Sequence, residues 1–250
     1  MRIAAIYDIH GNLPALAAVL HEIDQLAPDL IVVGGDVAAG PMPRVTIERL
    51  MELGPRARFI SGNTDRYMVE CFDGTPADSA MAARGRKLMA WAADQLDPAH
   101  RDFLAGFAER ATFPVDGLGD VLFCHATPHS DEEILTPASS EQRVRAALAG
   151  IAERVVVCGH THIQHDRVVD GIRILNAGSV GMPYGQPGAH WLLLGDQAVF
   201  KRTDYDLEQA AEQIRASDYP NAQDFADNNV RQPPSAEEAT QVLENMAQQA

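Results

Sequence analysis

The sequence predicts an α/β fold with a mostly β second half. Over the first two thirds of the chain, short apolar runs alternate with stretches of helical periodicity. Beyond residue 164 that alternation gives way to pairs of apolar runs joined by Asp-Gly or Gly-Asp, which are hairpin signals. A further regularity bears on function: each of the first five apolar runs leads into a residue able to bind a metal ion.

In chain order, RIAAIYD reads as a buried strand and NLPALAAVLHEIDQLA as the helix after it. Asn12 stands at the N-cap, Pro14 in the first turn, and Leu13, Leu16, Ala17, Leu20 and Ile23 at helical spacing. DLIVVGGD is a second strand, RVTIERLMEL a helix, and ARFISGN a third strand. Residues 78–110 are Ala-rich and predict two helices broken near Asp97-Pro98. VLFCHA is the fourth strand, followed by the helix SSEQRVRAALAGIAE, capped by Ser139 or Ser140 with Glu141 in its first turn. RVVVCGHTH is the fifth strand. Two hairpins are expected next, turning at Asp170-Gly171 and Gly195-Asp196. The division expected is a domain over residues 1–205 and a polar, loosely attached extension over 206–250 with one short helix.

Composition narrows the function. A length of 250 residues, 46% hydrophobic and 22% charged, suits a globular chain with a substantial core. The net charge of −15 argues against stable binding to nucleic acid or to anionic membranes. It leaves room for a small phosphorylated substrate if the site is locally cationic. Cys71, Cys124 and Cys158 form no disulfide framework and no CxxC pair. With no signal-peptide pattern and no membrane-length apolar run, a cytoplasmic location is expected.

The five runs lead into Asp8 and His10, Asp36, Asn63, His125, and His160 with His162. In open α/β sheets the carboxyl ends of the strands form the ligand crevice, so these residues can converge. Residues i and i+2 of a strand share a side, so Asp8 with His10, and His160 with His162, each present two ligands together. Seven side chains exceed what one ion can use while keeping a position open. Two ions sharing a carboxylate can use them, and Asp36, a single carboxylate on a central strand, is the natural bridge. Imidazole and carboxylate without thiolate suit Mn, Fe, Co, Ni or Zn rather than Mg or Ca. Cys124 and Cys158 are read as core. Two ions ~3.5–4 Å apart clamp both oxygens of an in-line displacement at phosphorus, which points to phosphoryl chemistry.

The segments DIHGN, GGDVAAG, SGNTD, FCHATP, CGHTHIQ and ILNAGSVGMP, in this order, resemble those of the calcineurin-like metallophosphoesterases, in particular the YfcE-like bacterial and archaeal phosphodiesterases. The resemblance spans roughly residues 1–205. It implies a four-layer αββα sandwich with the metal site at the carboxyl ends of the strands. It also implies two divalent ions, usually Mn, and attack on phosphorus by a metal-bound hydroxide. One ion would be held by Asp8, His10, Asp36 and His162, the other by Asp36, Asn63, His125 and His160. Self-association is compatible with the family.

One departure concerns the substrate. Protein phosphatases and repair nucleases of the superfamily carry a proton-donating histidine directly after the asparagine, where this chain has Thr64 and then Asp65. The YfcE-like proteins also lack it. A phosphodiester or nucleotide-type anhydride is therefore the expected substrate, because a good leaving group needs less protonation. His129, in HATPHSDEE, is the candidate replacement acid, and Asn12, Thr64 and Asp65 are expected to contact substrate or to back the ligands. The alternatives are a phosphomonoesterase or phosphoprotein phosphatase, and a non-catalytic scaffold that keeps the fold. His21, His100, His165 and His190 are read as structural.

Overall fold

The computed structural model describes residues 1–75 and 83–249. Its strands and helices alternate as β1 (Ile3–Ile6), α1 (Leu13–Leu26), β2 (Leu30–Val33), α2 (Pro43–Met51), β3 (Ala57–Phe59) and α3 (Asn63–Phe72). Next come α4 (Ala83–Asp94), α5 (Pro98–Ala105), β4 (Arg110–Val115), β5 (Gly119–Cys124), α6 (Glu141–Ala147) and β6 (Val155–Cys158). Two hairpins follow, β7 (His165–Val169) with β8 (Ile172–Asn176), and β9 (Ala189–Leu194) with β10 (Ala198–Thr203). The remaining helices are α7 (Leu207–Arg215), α8 (Ala222–Phe225), which runs into a π-helical turn over Ala226–Arg231, and α9 (Ala236–Ala247).

The strands form two five-stranded mixed sheets, ordered β10-β9-β1-β2-β3 and β4-β5-β6-β8-β7. Their alternation decides the layers, because successive side chains point to opposite faces. On β1, Ile3, Ala5 and Tyr7 face the second sheet, while Ala4 and Ile6 face the helices. On β5 and β6, Val121, Phe123, Val155 and Val157 meet the first sheet between the layers. Leu122, Cys124, Val156 and Cys158 turn outward under Val144 and Ala147 of α6. Helices α1 to α5 cover the other outer face through Leu16, Val19, Leu20, Ile47, Leu50, Met68, Met89 and Leu104. The four-layer αββα sandwich expected from the sequence is what forms, and both cysteines sit in its core.

Local chemistry explains most boundaries. Asn12 caps α1 by accepting the Ala15 N–H at 3.2 Å. Of the two candidate serines, Ser140 caps α6, accepting the Arg143 N–H at 3.2 Å. Asp170 and Gly171 turn the first hairpin with φ of 49° and 78°, the left-handed pair that a two-residue hairpin loop requires. The expected helix start at residue 78 lies outside the described residues.

Two elements have no counterpart in the sequence reading. Helix α3 begins at Asn63 itself, where a Gly-Asn pair resembles a plain turn. Strand β4 carries Pro114, a residue that argues against a central strand; it is tolerated because β4 lies at the sheet edge. The segment after residue 205 also holds more structure than one short helix. Its Ala210, Ile214, Tyr219, Phe225 and Val230 form an apolar cluster packed on Met42, Trp91 and Met182. Helical spacing concealed these residues within a polar composition.

Candidate metal centre

The carboxyl ends of β1, β2, β5 and β6 lie side by side because β1 pairs in parallel with β2, and β5 in parallel with β6. Past those ends the backbone takes an uncommon course. Asp8, His10, Asp36, His160 and His162 have φ of 54°, 48°, 54°, 65° and 58°. Non-glycine residues visit this left-handed region at a cost of roughly 1 kcal/mol each, and such strain concentrates at functional sites. Two glycines make room for the carboxylates. A Cβ on Gly62 would lie 2.3 Å from Asp36 Oδ1, and one on Gly159 would lie 2.4 Å from Asp8 Oδ2.

The donor atoms converge. Asp8 Oδ1 is 3.3 Å from His162 Nε2, 3.9 Å from His125 Nε2 and 4.0 Å from His10 Nε2. Asp36 turns Oδ2 to His10 Nε2 at 3.7 Å and Oδ1 to His125 Nε2 at 3.5 Å. Asp8 with His10 and His162, and Asp8 with Asp36 and His125, each place three donors within 4.8 Å of one another. Asp8 thus belongs to both groups, and Asp36 offers one oxygen to each side. The His160 ring lies 5.2 Å from that of His125, centroid to centroid.

Ring orientation is set from behind. The Nδ1 atoms of His10, His125 and His162 face the carbonyls of Ala39, Gly34 and Met182 at 3.2, 2.8 and 2.8 Å. A carbonyl only accepts, so these nitrogens carry a proton and in the neutral ring the lone pair lies on Nε2; the Nε2 atoms of His10 and His162 face each other at 3.2 Å. His160 is reversed: its Nε2 faces the Glu132 carbonyl at 3.1 Å, leaving Nδ1 free. Imidazoles held in this way by backbone carbonyls are oriented as metal ligands are.

Three buried atoms of this set, Asp8 Oδ1, Asn63 Oδ1 and His125 Nε2, have no hydrogen-bond partner among the described residues. A buried polar atom left unpaired costs about 1–3 kcal/mol, and Asp8 Oδ1 and His125 Nε2, 3.9 Å apart, fit a cation between them. The donor set, carboxylate and amide oxygens with imidazole nitrogens, suits a borderline divalent ion.

Charge is distributed unevenly among these groups. Burial pushes the Asp8 carboxyl up, but His162, His125 and His10 outweigh it and hold it near 2. Burial and the neighbouring His125 push His160 down to about 4. Burial also lowers His125 and His162, yet the Asp36 and Asp8 carboxylates reverse this and raise both.

The other residues singled out in the sequence take distinct places. Asp65 is buried and accepts the N–H groups of Asp36, Val37 and Gly62 at 2.8, 3.0 and 2.9 Å, joining the end of β2 to the start of α3. Thr64 donates its N–H to Asp36 Oδ1. Asn12 caps α1 and donates to the Gly181 carbonyl at 3.0 Å. His129 donates its Nε2–H to the Ala149 carbonyl at 2.8 Å.

Beside His125 opens a cavity of about 650 Å³, walled in part by Ser61, Arg66, Leu104, Phe107, Arg110 and His129. Arg66 is engaged by Asp131 at 2.9 Å and by Glu70 at 3.5 Å. Arg110 donates to the Pro128 carbonyl and makes no ion pair among the described residues. Neither arginine was legible as a site residue, nor were the carbonyls behind the histidines, since every residue has a carbonyl.

Comparison with known proteins identifies the family and the fold. The model of the calcineurin-like phosphoesterase superfamily domain matches residues 1–196. Among solved structures, a hypothetical protein, PH1004 from Pyrococcus horikoshii OT3, superposes with a TM-score of 0.78 at 17% identity, covering 94% of this chain and 99% of its own. A metallophosphoesterase from Sphaerobacter thermophilus gives 0.69 at 24% identity, covering 92% of this chain and 100% of its own. The E. coli phosphoesterase YfcE gives 0.46 at 22% identity over 77% of this chain and 87% of its own. Among curated protein sequences no relative matches.

Proposed function

The chain belongs to the calcineurin-like phosphoesterase superfamily, metal-dependent hydrolases of phosphoric esters, and on that premise we propose that it hydrolyses a phosphodiester or a nucleotide-type phosphoanhydride with two divalent ions. The observation that carries this reading is the convergence of Asp8, His10, Asp36, His125 and His162, with buried donor atoms left free and ring orientations held by carbonyls. Asp8, His10, Asp36 and His162 would hold one ion. Asp36, Asn63, His125 and His160 would hold the other, with Asp36 between them because its two oxygens face different histidines. Divalent ions at such a site hold phosphoryl oxygens and acidify a water at neutral pH, and Mn suits the donor set.

The chain's own residues supply position and selectivity. Two dications held by two carboxylates would make the pocket cationic in a protein of net charge −15 and would draw a phosphate to it. The cavity beside His125 offers room for a second ester substituent, with Leu104 and Phe107 as apolar wall and Arg110 as cation. Thr64 brings no ionisable group, and His129 spends Nε2 on a carbonyl. A leaving group that departs without protonation is therefore favoured, which supports an anhydride or an ester of an acidic alcohol over an alkyl ester, while the room beside His125 supports a diester over a monoester. The expected setting is the cytoplasm, with residues 1–205 as the catalytic domain.

Paired assays with bis(p-nitrophenyl) phosphate and p-nitrophenyl phosphate in added Mn test the proposal. The diester is expected to show at least about 10-fold higher kcat/KM. A preference for the monoester would overturn the diester reading. Two bound equivalents of Mn without hydrolysis of either would point to the scaffold.

A further inference from the structure

Two contacts from beyond the family-matched region reach the loops behind the last histidine pair. The first centres on Glu244 of α9. Its carboxylate is bound by both terminal nitrogens of Arg143 at 2.6 and 3.1 Å, by the Ser139 hydroxyl at 2.8 Å and by the Thr136 hydroxyl. Arg143 also donates to the Ile134 carbonyl at 3.1 Å, and the Ser139 hydroxyl accepts the Thr136 N–H at 2.8 Å. The 134–139 loop is thus wound around one acidic side chain of a distant helix.

That loop reaches the ligands. The Leu135 carbonyl accepts the hydroxyl of Thr161, which lies between His160 and His162, at 3.1 Å. Three residues earlier, the Glu132 carbonyl holds Nε2 of His160. The second contact lies on the other side. Met182, whose carbonyl holds Nδ1 of His162, packs its side chain on the apolar cluster of Ile214, Tyr219, Phe225 and Val230. Nearby, Gly185 donates its N–H to the Pro234 carbonyl at 2.9 Å.

We propose that the C-terminal segment is a brace for the metal centre, with Glu244 the positioning residue that keeps the His160 ring turned to present Nδ1. The proposal rests on the reading of His160 as a ligand, but ring orientation can be read without a metal. The segment supplies none of the ligand side chains; it acts through Glu132 and Leu135 on one side and Met182 on the other.

The test uses full-length protein. In metal-free wild type, histidine ring 15N spectra are expected to show His160 protonated at Nε2 and His125 at Nδ1. In Glu244→Ala the His160 signal is expected to become a tautomer average while that of His125 is unchanged. Affinity for the more weakly held Mn is expected to fall about 10-fold, the scale for losing support behind a ligand. Glu244→Gln keeps an acceptor and is expected to recover most of both effects. Glu237→Ala, on the exposed face of the same helix, is expected to match wild type.

An unchanged His160 signal in folded Glu244→Ala would overturn the brace, as would an equal loss in Glu237→Ala. Should Glu244→Ala fail to fold, Thr136→Val is read in its place, and an unaltered His160 ring there would overturn the proposal too. If wild type binds no Mn, the two-ion reading fails separately, and the ring spectra still decide the brace.

Discussion

Thr64 donates its backbone N–H to Oδ1 of Asp36 at 2.9 Å. The residue after Asn63 therefore serves the Asp36 carboxylate through its main chain. Asp36 is fixed by that bond, with Oδ1 toward His125 and Oδ2 toward His10.

Asp36→Asn is expected to lower kcat/KM by more than about 100-fold, because on the two-ion reading a neutral amide cannot hold two dications as a shared carboxylate would. Calorimetric titration with Mn should show two equivalents in wild type and one in the variant. Near-normal turnover would refute the scheme with two ions.

Asp65→Asn is expected to destabilise the protein by about 1–3 kcal/mol, since a carboxylate accepting three buried N–H groups is replaced by a side chain with one oxygen and an amide donor. Thermal melts of the metal-free proteins measure this. Equal midpoints would mean that the link between β2 and α3 does not depend on it.

Arg110→Gln is expected to raise KM for the diester about 10-fold while kcat changes little, the pattern of lost uniform binding. Steady-state kinetics on diester and monoester read it. On the proposed reading the effect is larger for the diester, whose second substituent would enter the cavity lined by Arg110; equal effects on both would remove Arg110 from selectivity.

His190 provides a pH test remote from the ligands. Burial pushes it down to about 4 from an ordinary 6.5, against a Gln186 carbonyl and with help from Arg202. The unfolded chain is then the better proton binder between about pH 6.5 and pH 4. The contribution is fully present above that window and is lost as pH falls through it, by about 2–3 kcal/mol in all. In His190→Leu the difference in unfolding free energy between pH 7 and pH 4 should shrink by that amount, as measured by urea titration at each pH.

What the sequence alone determined was the alternation of layers and the identity of the converging side chains. Apolar runs such as Val155–Cys158 have to be buried on both faces, and the glycines and polar residues that follow mark where each run ends. Asp36 and the histidines could be named because five strand ends carry ligand chemistry together, a regularity visible in one dimension. Asn63 was expected as an oxygen ligand, but its place as the first residue of a helix was not legible, since Gly-Asn fits a turn equally well.

Only the tertiary structure decided how those side chains are held. The carbonyls of Gly34, Ala39, Glu132 and Met182 orient the rings, and a backbone carbonyl leaves no trace in residue type. Arg110 becomes part of the cavity wall only because β4 pairs beside β5, with Arg110 opposite Cys124. Glu244 meets Arg143 across 101 residues of chain. Contacts of that range come from the packing of finished elements, and local periodicity carries no signal for them.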